Sequence, residues 1–245
     1  MLRSLLFLLS VVAIPAFAAN DFAECKQFFV GQTPPVLSSP AKQARALCFS
    51  EFAVLHSGQS KTPVYVAQRL NREIVNAKVK RTNKFFADAR LPRPERAELD
   101  DYKESGFDRG HMAPAGDMAT EQGMAQCFSL ANMVPQDPKN NQRIWNKIEE
   151  STRKYIQRSS GDVYVITGPV FAKKPATIGS NQVWVPSHLY KLIYDPGTKK
   201  AWAYWIENRA DATVGAPISY AELVQKTGIE FLPKSPLALH LAAHP

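Results

Sequence analysis

The chain has 245 residues, of which 45% are hydrophobic and 21% are charged. This composition excludes an intrinsically disordered protein, and the length is sufficient for one sizeable core, so we expect a single domain. Lys and Arg outnumber Asp and Glu by 30 to 22, and the resulting net charge of +8 makes polyanions natural candidate partners.

The N-terminus has the pattern of a signal peptide. Arg3 precedes a short apolar run, and Ala16-Phe17-Ala18 has the small-x-small spacing of a cleavage site. The run is shorter than the roughly 18 to 20 apolar residues that a membrane span needs. We therefore expect a signal peptide over 1–18, a single domain over 19–245 with no membrane association after cleavage, and a secreted or periplasmic location.

The three cysteines allow one disulfide and leave one thiol unpaired. Cys25 and Cys48 flank a proline-containing segment without clear periodicity, where a disulfide would remove chain entropy worth about 3 kcal/mol. Cys127 lies in an apolar stretch and is expected to be a small buried hydrophobe. No Cys or Cys/His cluster has the spacing of a zinc site.

The hydrophobic pattern predicts a mixture of strands and helices. Phe49–His56 and Pro63–Leu70 are β-prone runs around a Ser-Gly-Gln-Ser turn and predict a hairpin. The apolar spacing of Asn141–Ser159 predicts an amphipathic helix, and Ser219–Thr227 predicts a short helix ended by Gly228. Three runs rich in Val, Ile, Tyr and Trp predict central antiparallel strands: Asp162–Val170, Gln182–Tyr194 and Ala201–Glu207.

Charge is distributed unevenly in the first half of the chain. Residues 69–96 contain nine basic and three acidic side chains, whereas residues 97–138 contain two basic and eight acidic ones. This asymmetry predicts a surface with two charge poles rather than a uniformly basic one. A solvated charged loop is the simplest explanation of either half.

The first cluster with chemical potential is Asp108-Arg109-Gly110-His111. An arginine can bind two phosphate oxygens and oppose negative charge in a transition state, and a histidine can accept a proton from water near neutral pH. Asp108 is placed to orient one of these two side chains. Without further context, however, an adjacent arginine and histidine more often form a structural pair.

The second cluster contains Asn132 and a stripe on the predicted helix. Asn141, Trp145, Glu149 and Arg153 are spaced four residues apart, so they share one side of that helix. The stripe combines amide, carboxylate and guanidinium groups. The alternative explanation is an exposed Glu149–Arg153 pair worth a few tenths of a kcal/mol.

Together, the two clusters resemble the DNA/RNA non-specific endonuclease family. Asp108-Arg109-Gly110-His111 matches the family signature, Asn141-Gln142 with Trp145 and Glu149 matches its metal-ligand helix, and Asn132–Gln136 matches the strand between them. The resemblance extends across the mature chain. It implies an α+β protein with the ββα-metal nuclease fold, in which helices flank a central antiparallel sheet.

By this resemblance, His111 is the general base that activates water for attack on a phosphodiester bond, and Arg109 lies beside the scissile phosphate. Asn141 is the direct protein ligand of one Mg²⁺, with Mn²⁺ as a substitute. One neutral amide suits magnesium because this ion keeps several of its own waters. Glu149 holds water bound to the metal.

The resemblance also implies a substrate-binding set and a supporting set. Arg153 neutralises phosphate charge, and Arg81, in Arg81-Thr82-Asn83, resembles the upstream phosphate-contacting arginine of the family. Asp108 and Asn132 are expected to support the site, Asn132 through hydrogen bonds.

The sequence therefore predicts an exported, magnesium-dependent, non-specific endonuclease that hydrolyses phosphodiester bonds of DNA and RNA. No base-reading motif is visible, so we expect contacts mainly to phosphate. The resemblance also allows a homodimer.

Two alternatives stay open: a secreted, non-catalytic polyanion-binding protein, and a phosphodiesterase acting on small phosphate esters. Intact His111 and Asn141 argue against the first, and the wide distribution of basic residues favours a polymer over the second.

Overall fold

The computed structural model describes residues 22–233. The predicted signal peptide over 1–18 therefore lies outside the described residues, as do both ends of the predicted 19–245 domain. Within 22–233, no helix combines the length and apolar character that a membrane crossing requires.

Thirteen strands and five α-helices occur in the described part of the chain. The strands are β1 Val36–Leu37, β2 Ala44–Cys48, β3 Ala53–Ser57, β4 Thr62–Leu70, β5 Asp108–His111, β6 Met133–Gln136, β7 Val163–Val170, β8 Thr177–Ile178, β9 Val183–Trp184, β10 His188–Asp195, β11 Lys200–Glu207, β12 Ile218–Ser219 and β13 Ile229–Glu230. The α-helices are α1 Arg72–Asn76, α2 Leu99–Tyr102, α3 Glu121–Gln126, α4 Asn146–Ile156 and α5 Tyr220–Thr227. A π-helical segment, Asn140–Trp145, leads directly into α4.

The largest sheet has seven antiparallel strands in the order β12-β11-β10-β7-β4-β3-β2. The predicted hairpin is present as β3 and β4, and the predicted strands near 162–170 and 201–207 are β7 and β11. The predicted strand Gln182–Tyr194 is wrong in its extent, because it consists of β9 and β10 with a break between them. Pro186 lies in this break, where its missing N–H cannot contribute to a strand ladder.

The two faces of this sheet cover different parts of the core because successive side chains of a strand point to opposite faces. One face includes Leu189 of β10 and packs in the same hydrophobic cluster as Trp145 and Ile148. The opposite face includes Leu192 and packs with residues near both ends of the described chain, among them Leu223 of α5. The first face supports the helix on which the predicted metal-binding stripe lies.

The predicted helix Asn141–Ser159 is present, but it is not uniform. Its first turn and a half belong to the π-helical segment, and α4 ends at Ile156. Helix α5 is also as predicted, with the Ser219 side chain accepting a hydrogen bond from the backbone N–H of Glu222 at the start. Gly228 ends it at φ 67°, a left-handed conformation that suits glycine.

The cysteine predictions are confirmed. Cys25 and Cys48 form a disulfide that joins the N-terminal segment to the edge strand β2. Cys127 is a free, fully buried thiol. Its burial raises the pKa of the thiol to about 12, so this side chain behaves as an apolar group rather than as a nucleophile.

Candidate active site

A small hairpin and the following helix bring the two sequence clusters together. Strand β5 pairs antiparallel with β6, so that Arg109 lies opposite Pro135 and His111 opposite Met133. Gly110 is required between them, because a Cβ atom at this position would lie 2.1 Å from the Gln136 side-chain oxygen. The π-helical segment and α4 follow, which completes a ββα unit.

One open cleft of about 590 Å³ collects nearly all the predicted site residues. Its lining includes Arg81, Asp108, Arg109, His111, Asn141, Glu149 and Arg153. A second cleft of equal volume has Lys42 and Lys226 as its charged side chains and contains no carboxylate. The first cleft therefore has the chemical groups that phosphate chemistry requires.

His111 lies at the wall of the cleft against two aromatic rings that also contact each other. Its ring centroid is 5.7 Å from that of Phe85 and 5.0 Å from that of Phe128. Within the described residues, neither ring nitrogen of His111 makes a hydrogen bond, and Nε2 is fully buried. The pKa of His111 is lowered to about 3, mainly by burial and to a smaller extent by the positive charges of Arg81 and Arg109. The imidazole is therefore neutral at physiological pH, which is the form that a general base needs before the reaction.

Asp108 fixes the orientation of the Asn141 amide. Its Oδ2 accepts a hydrogen bond from Asn141 Nδ2 at 2.9 Å and another from Gln142 Nε2 at 2.8 Å. Because the amide nitrogen of Asn141 is committed to Asp108, its Oδ1 is the atom left for a ligand. No hydrogen bond to this oxygen occurs within residues 22–233.

Aromatic rings support two of the cleft arginines. The guanidinium carbon of Arg109 lies 4.1 Å from the centroid of the Phe85 ring, and that of Arg81 lies 5.1 Å from the centroid of the Phe128 ring. Stacking on a ring restrains a guanidinium group while leaving its N–H groups available for phosphate oxygens. The two phenylalanines thus hold both arginines and His111 in one arrangement.

Arg153 is held by a buried carboxylate instead. Its Nη1 donates to Asp117 Oδ1 at 3.1 Å, and the Asp117 side chain is only 5% exposed. Gly116 leaves room for this guanidinium, since a Cβ there would lie 3.0 Å from Arg153 Nη1. Burial raises the pKa of Asp117, and Arg153 and Lys191 act in the opposite direction.

Glu149 lies one turn after Trp145 and faces the same cleft. Burial raises its pKa to about 7, while the charges of Lys191 and Arg153 oppose this effect. The carboxylate therefore titrates near neutral pH, in contrast to a solvated glutamate. A carboxylate with a perturbed pKa in a cleft is typical of a functional site.

Asn132 lies behind the cleft rather than in its lining. It is fully buried, and its Nδ2 donates to the backbone oxygens of Ala113 at 2.8 Å and Cys127 at 2.9 Å. The backbone N–H of Ala113 donates to Asn132 Oδ1 at 2.9 Å. These bonds tie the segment after His111 to the end of α3.

Three residues near the site were missed by the sequence analysis: Phe85, Asp117 and Lys191. Phe85 lies four residues after Arg81, and this spacing does not mark it as a functional residue. Asp117 belongs to the acidic half of the charge pattern. Lys191 interrupts the otherwise apolar inward face of a strand, and this pattern was visible in the sequence.

Residues 35–238 match the model of the DNA/RNA non-specific endonuclease family, and the chain belongs to this family. The mitochondrial nuclease EXOG of Danio rerio is 33% identical over 218 residues, covering 79% of this chain and 62% of that protein. Mitochondrial endonuclease G of Bos taurus is 30% identical over 184 residues, covering 70% and 60%. The chain spans 42% to 62% of the lengths of the four EXOG relatives.

A solved structure gives the same result for the fold. The crystal structure of the EndoG/EndoGI complex matches with a TM-score of 0.72 and 25% identity, covering 81% of this chain and 89% of that chain. The predicted α+β fold of the ββα-metal nuclease type is thereby confirmed. The predicted secreted or periplasmic location is wrong, because the EXOG and endonuclease G relatives are named as mitochondrial nucleases.

Proposed function

We propose that this protein is a magnesium-dependent endonuclease that hydrolyses phosphodiester bonds of DNA and RNA without sequence preference. The observation that carries this proposal is one cleft that combines a neutral His111, three arginines and the Asn141 Oδ1, which accepts no hydrogen bond from residues 22–233. Family membership supports the same reaction.

The cleft residues divide the chemistry between them. His111 accepts the proton of the attacking water, since it is the imidazole of the cleft lining and is neutral before the reaction. Arg109 and Arg81 bind phosphate oxygens and oppose the charge that develops on them. Arg153 adds a third positive charge, held in place by Asp117.

The donor set of the cleft fits magnesium. Asn141 would hold the ion through Oδ1, and Glu149 would accept hydrogen bonds from the water that completes its coordination. Residues 22–233 contain no group of three or more His, Cys, Asp or Glu side chains suited to a metal ion. Magnesium tolerates such a site because it keeps several waters, and Mn²⁺ is the expected substitute. When bound, the ion polarises the phosphate and stabilises the leaving oxygen.

The rim of the cleft favours a polymeric substrate. Lys78, Lys80 and Lys84 are exposed on the segment that carries Arg81. These lysines lie outside the cleft lining and are suited to phosphates beyond the scissile one. Small phosphate esters would leave them without a partner.

The test compares supercoiled plasmid, RNA and bis(p-nitrophenyl) phosphate, each with Mg²⁺ or excess EDTA. We expect Mg²⁺-dependent degradation of both polymers and far slower ester hydrolysis. Binding without cleavage under Mg²⁺ and Mn²⁺ would contradict the proposal and support a polyanion-binding protein. Hydrolysis of the ester alone would support a small-ester phosphodiesterase. Sedimentation velocity on the same sample tests the homodimer that the family resemblance allows.

A further inference from the structure

Lys191 is a buried lysine beneath the cleft. Its side chain is 1% exposed, although it lies on β10 among apolar neighbours such as Leu189 and Ile193. Within the described residues, its single hydrogen-bond acceptor is Thr167 Oγ1, at 2.8 Å from Nζ. A buried ammonium group is costly unless nearby charge compensates for it. An apolar side chain would fill this position at lower cost.

The compensating charges belong to the active site. The carboxylates of Glu149 and Asp117 are the two charges that raise the pKa of Lys191 against the lowering effect of burial. Asp117 already has Arg153 as a direct partner at 3.1 Å. Glu149 has no direct ion pair among residues 22–233. Lys191 and Arg153 both act on the Glu149 carboxylate, and Lys191 has the larger effect. Unlike Arg153, Lys191 has no direct carboxylate partner among residues 22–233, so it acts on Glu149 through the low-dielectric interior.

Lys191 also contacts the helix that carries the predicted metal ligand. Its Nζ lies 5.2 Å from the centroid of the Trp145 ring, and this ring is buried. Trp145 is the last residue of the π-helical segment, four residues after Asn141 and four before Glu149. Restraining the Trp145 ring therefore fixes the junction between the π-helical segment and α4, and with it the position of the Asn141 amide relative to the Glu149 carboxylate.

We propose that Lys191 is a positioning residue of the active site, which holds the Trp145 junction and balances the Glu149 carboxylate from beneath the cleft. This inference rests on the proposed function. Lys191 does not belong to the cleft lining, so it acts through Glu149 and Trp145 and not by touching the substrate.

The test is a double-mutant cycle with Lys191→Met and Glu149→Gln in the full chain. Met keeps the length and apolar stem of the lysine and removes its charge. We expect Lys191→Met to lower kcat on plasmid by about tenfold with little change in KM, and to have almost no further effect in the Glu149→Gln background. Lys154→Met is the matched control, because it removes the same charge from an exposed position on α4. We expect it to leave kcat unchanged.

A stability cycle on metal-free protein at pH 8 gives a readout independent of activity. Lys191→Met alone removes the larger of the two positive charges that act on Glu149, so we expect a lower Tm than in the Lys191→Met/Glu149→Gln double variant. Thr167→Val serves if Lys191→Met does not fold, because it removes only the acceptor of Nζ. We expect a smaller loss of kcat that also disappears in the Glu149→Gln background.

The outcomes separate this inference from the proposed function. Additive effects in the activity cycle, or a Lys191→Met variant that behaves like the Lys154→Met control, would overturn the positioning role while leaving the nuclease assignment intact. If the unmodified protein does not cleave nucleic acid, the proposed function fails. In that case the stability cycle still decides whether Lys191 and Glu149 are coupled, and additivity there overturns the inference.

Discussion

The hydrogen bonds of Asp108 provide a sharp test of how the metal ligand is oriented. We consider the substitution Asp108→Ala, which removes the acceptor of both Asn141 Nδ2 and Gln142 Nε2. Without that acceptor, the Asn141 amide is free to rotate, and its Oδ1 no longer faces the cleft in one fixed orientation. We therefore expect weaker magnesium binding while the fold is retained.

The size of the effect follows from the two bonds. A hydrogen bond to a charged group contributes roughly 1.5 to 3 kcal/mol, and only the bond from Asn141 restrains the ligand. Asp108 is partly exposed, which reduces this value. We expect a loss of roughly 10- to 100-fold in Mg²⁺ affinity, which is typical when a partner that orients a metal ligand is removed.

The assay is a Mg²⁺ titration of the initial rate of plasmid nicking, accompanied by calorimetric titration with Mn²⁺. Gln142→Ala is the matched control, because it removes the other bond to the same oxygen and leaves Asn141 held. We expect the control to change the Mg²⁺ midpoint by no more than about threefold, since the Gln142 side chain is exposed. An unchanged midpoint in a folded Asp108→Ala variant would refute this account of the ligand geometry.

Three further predictions concern pH and the disulfide. Protonation of Glu149 near its pKa of about 7 should lower kcat/KM on the acid side of its pH profile. This acid limb should move to lower pH as the Mg²⁺ concentration is raised, because a nearby cation favours the charged carboxylate. An acid limb that does not depend on Mg²⁺ would contradict the role of Glu149. Below about pH 6, His111 in the unfolded chain binds a proton that folded His111, with its pKa of about 3, does not bind, so the free energy of unfolding should decrease as the pH is lowered. Urea unfolding of His111→Asn should therefore give a plot of this free energy against pH whose slope is lower by about 1.4 kcal/mol per pH unit than that of the unmodified protein. Equal slopes would show that His111 is not held neutral. Cys25 and Cys48 are 23 residues apart, and reduction of their disulfide should lower the free energy of unfolding in urea by about 3 kcal/mol. The measurement uses the Cys127→Ala variant, in which no third thiol can exchange with the disulfide. An unchanged urea midpoint would count against the disulfide as a stabilising element.

The residues that local spacing places together were predictable from the sequence. Asp108, Arg109 and His111 are consecutive or nearly so, and the strand that carries them needs only a partner such as β6 to present them at one cleft. The helical stripe from Asn141 to Arg153 was predictable from its period. The break in the strand near Pro186 was missed, although proline, which has no N–H for the ladder, marks it in the sequence.

The remaining features depend on tertiary burial, which spacing does not reveal. The π-helical segment that carries Asn141 and ends at Trp145 is one such feature, because no residue propensity marks a π-helical turn. The raised pKa of Glu149 and the buried position of Lys191 arise from the sheet packed beneath α4. Phe85 contacts both Arg109 and His111 because the fold brings a segment more than 20 residues earlier in the chain against β5.

The most direct test of the central claim compares His111→Ala and Asn141→Ala with the unmodified protein. Two measurements are made on the same samples: Mn²⁺ binding by calorimetry, and Mg²⁺-dependent cleavage of plasmid and RNA. We expect both variants to lose cleavage, His111→Ala with metal binding intact and Asn141→Ala with metal binding lost. Full cleavage by either variant, or equal metal binding in all three proteins, would contradict the assignment of proton acceptor and metal ligand in this cleft.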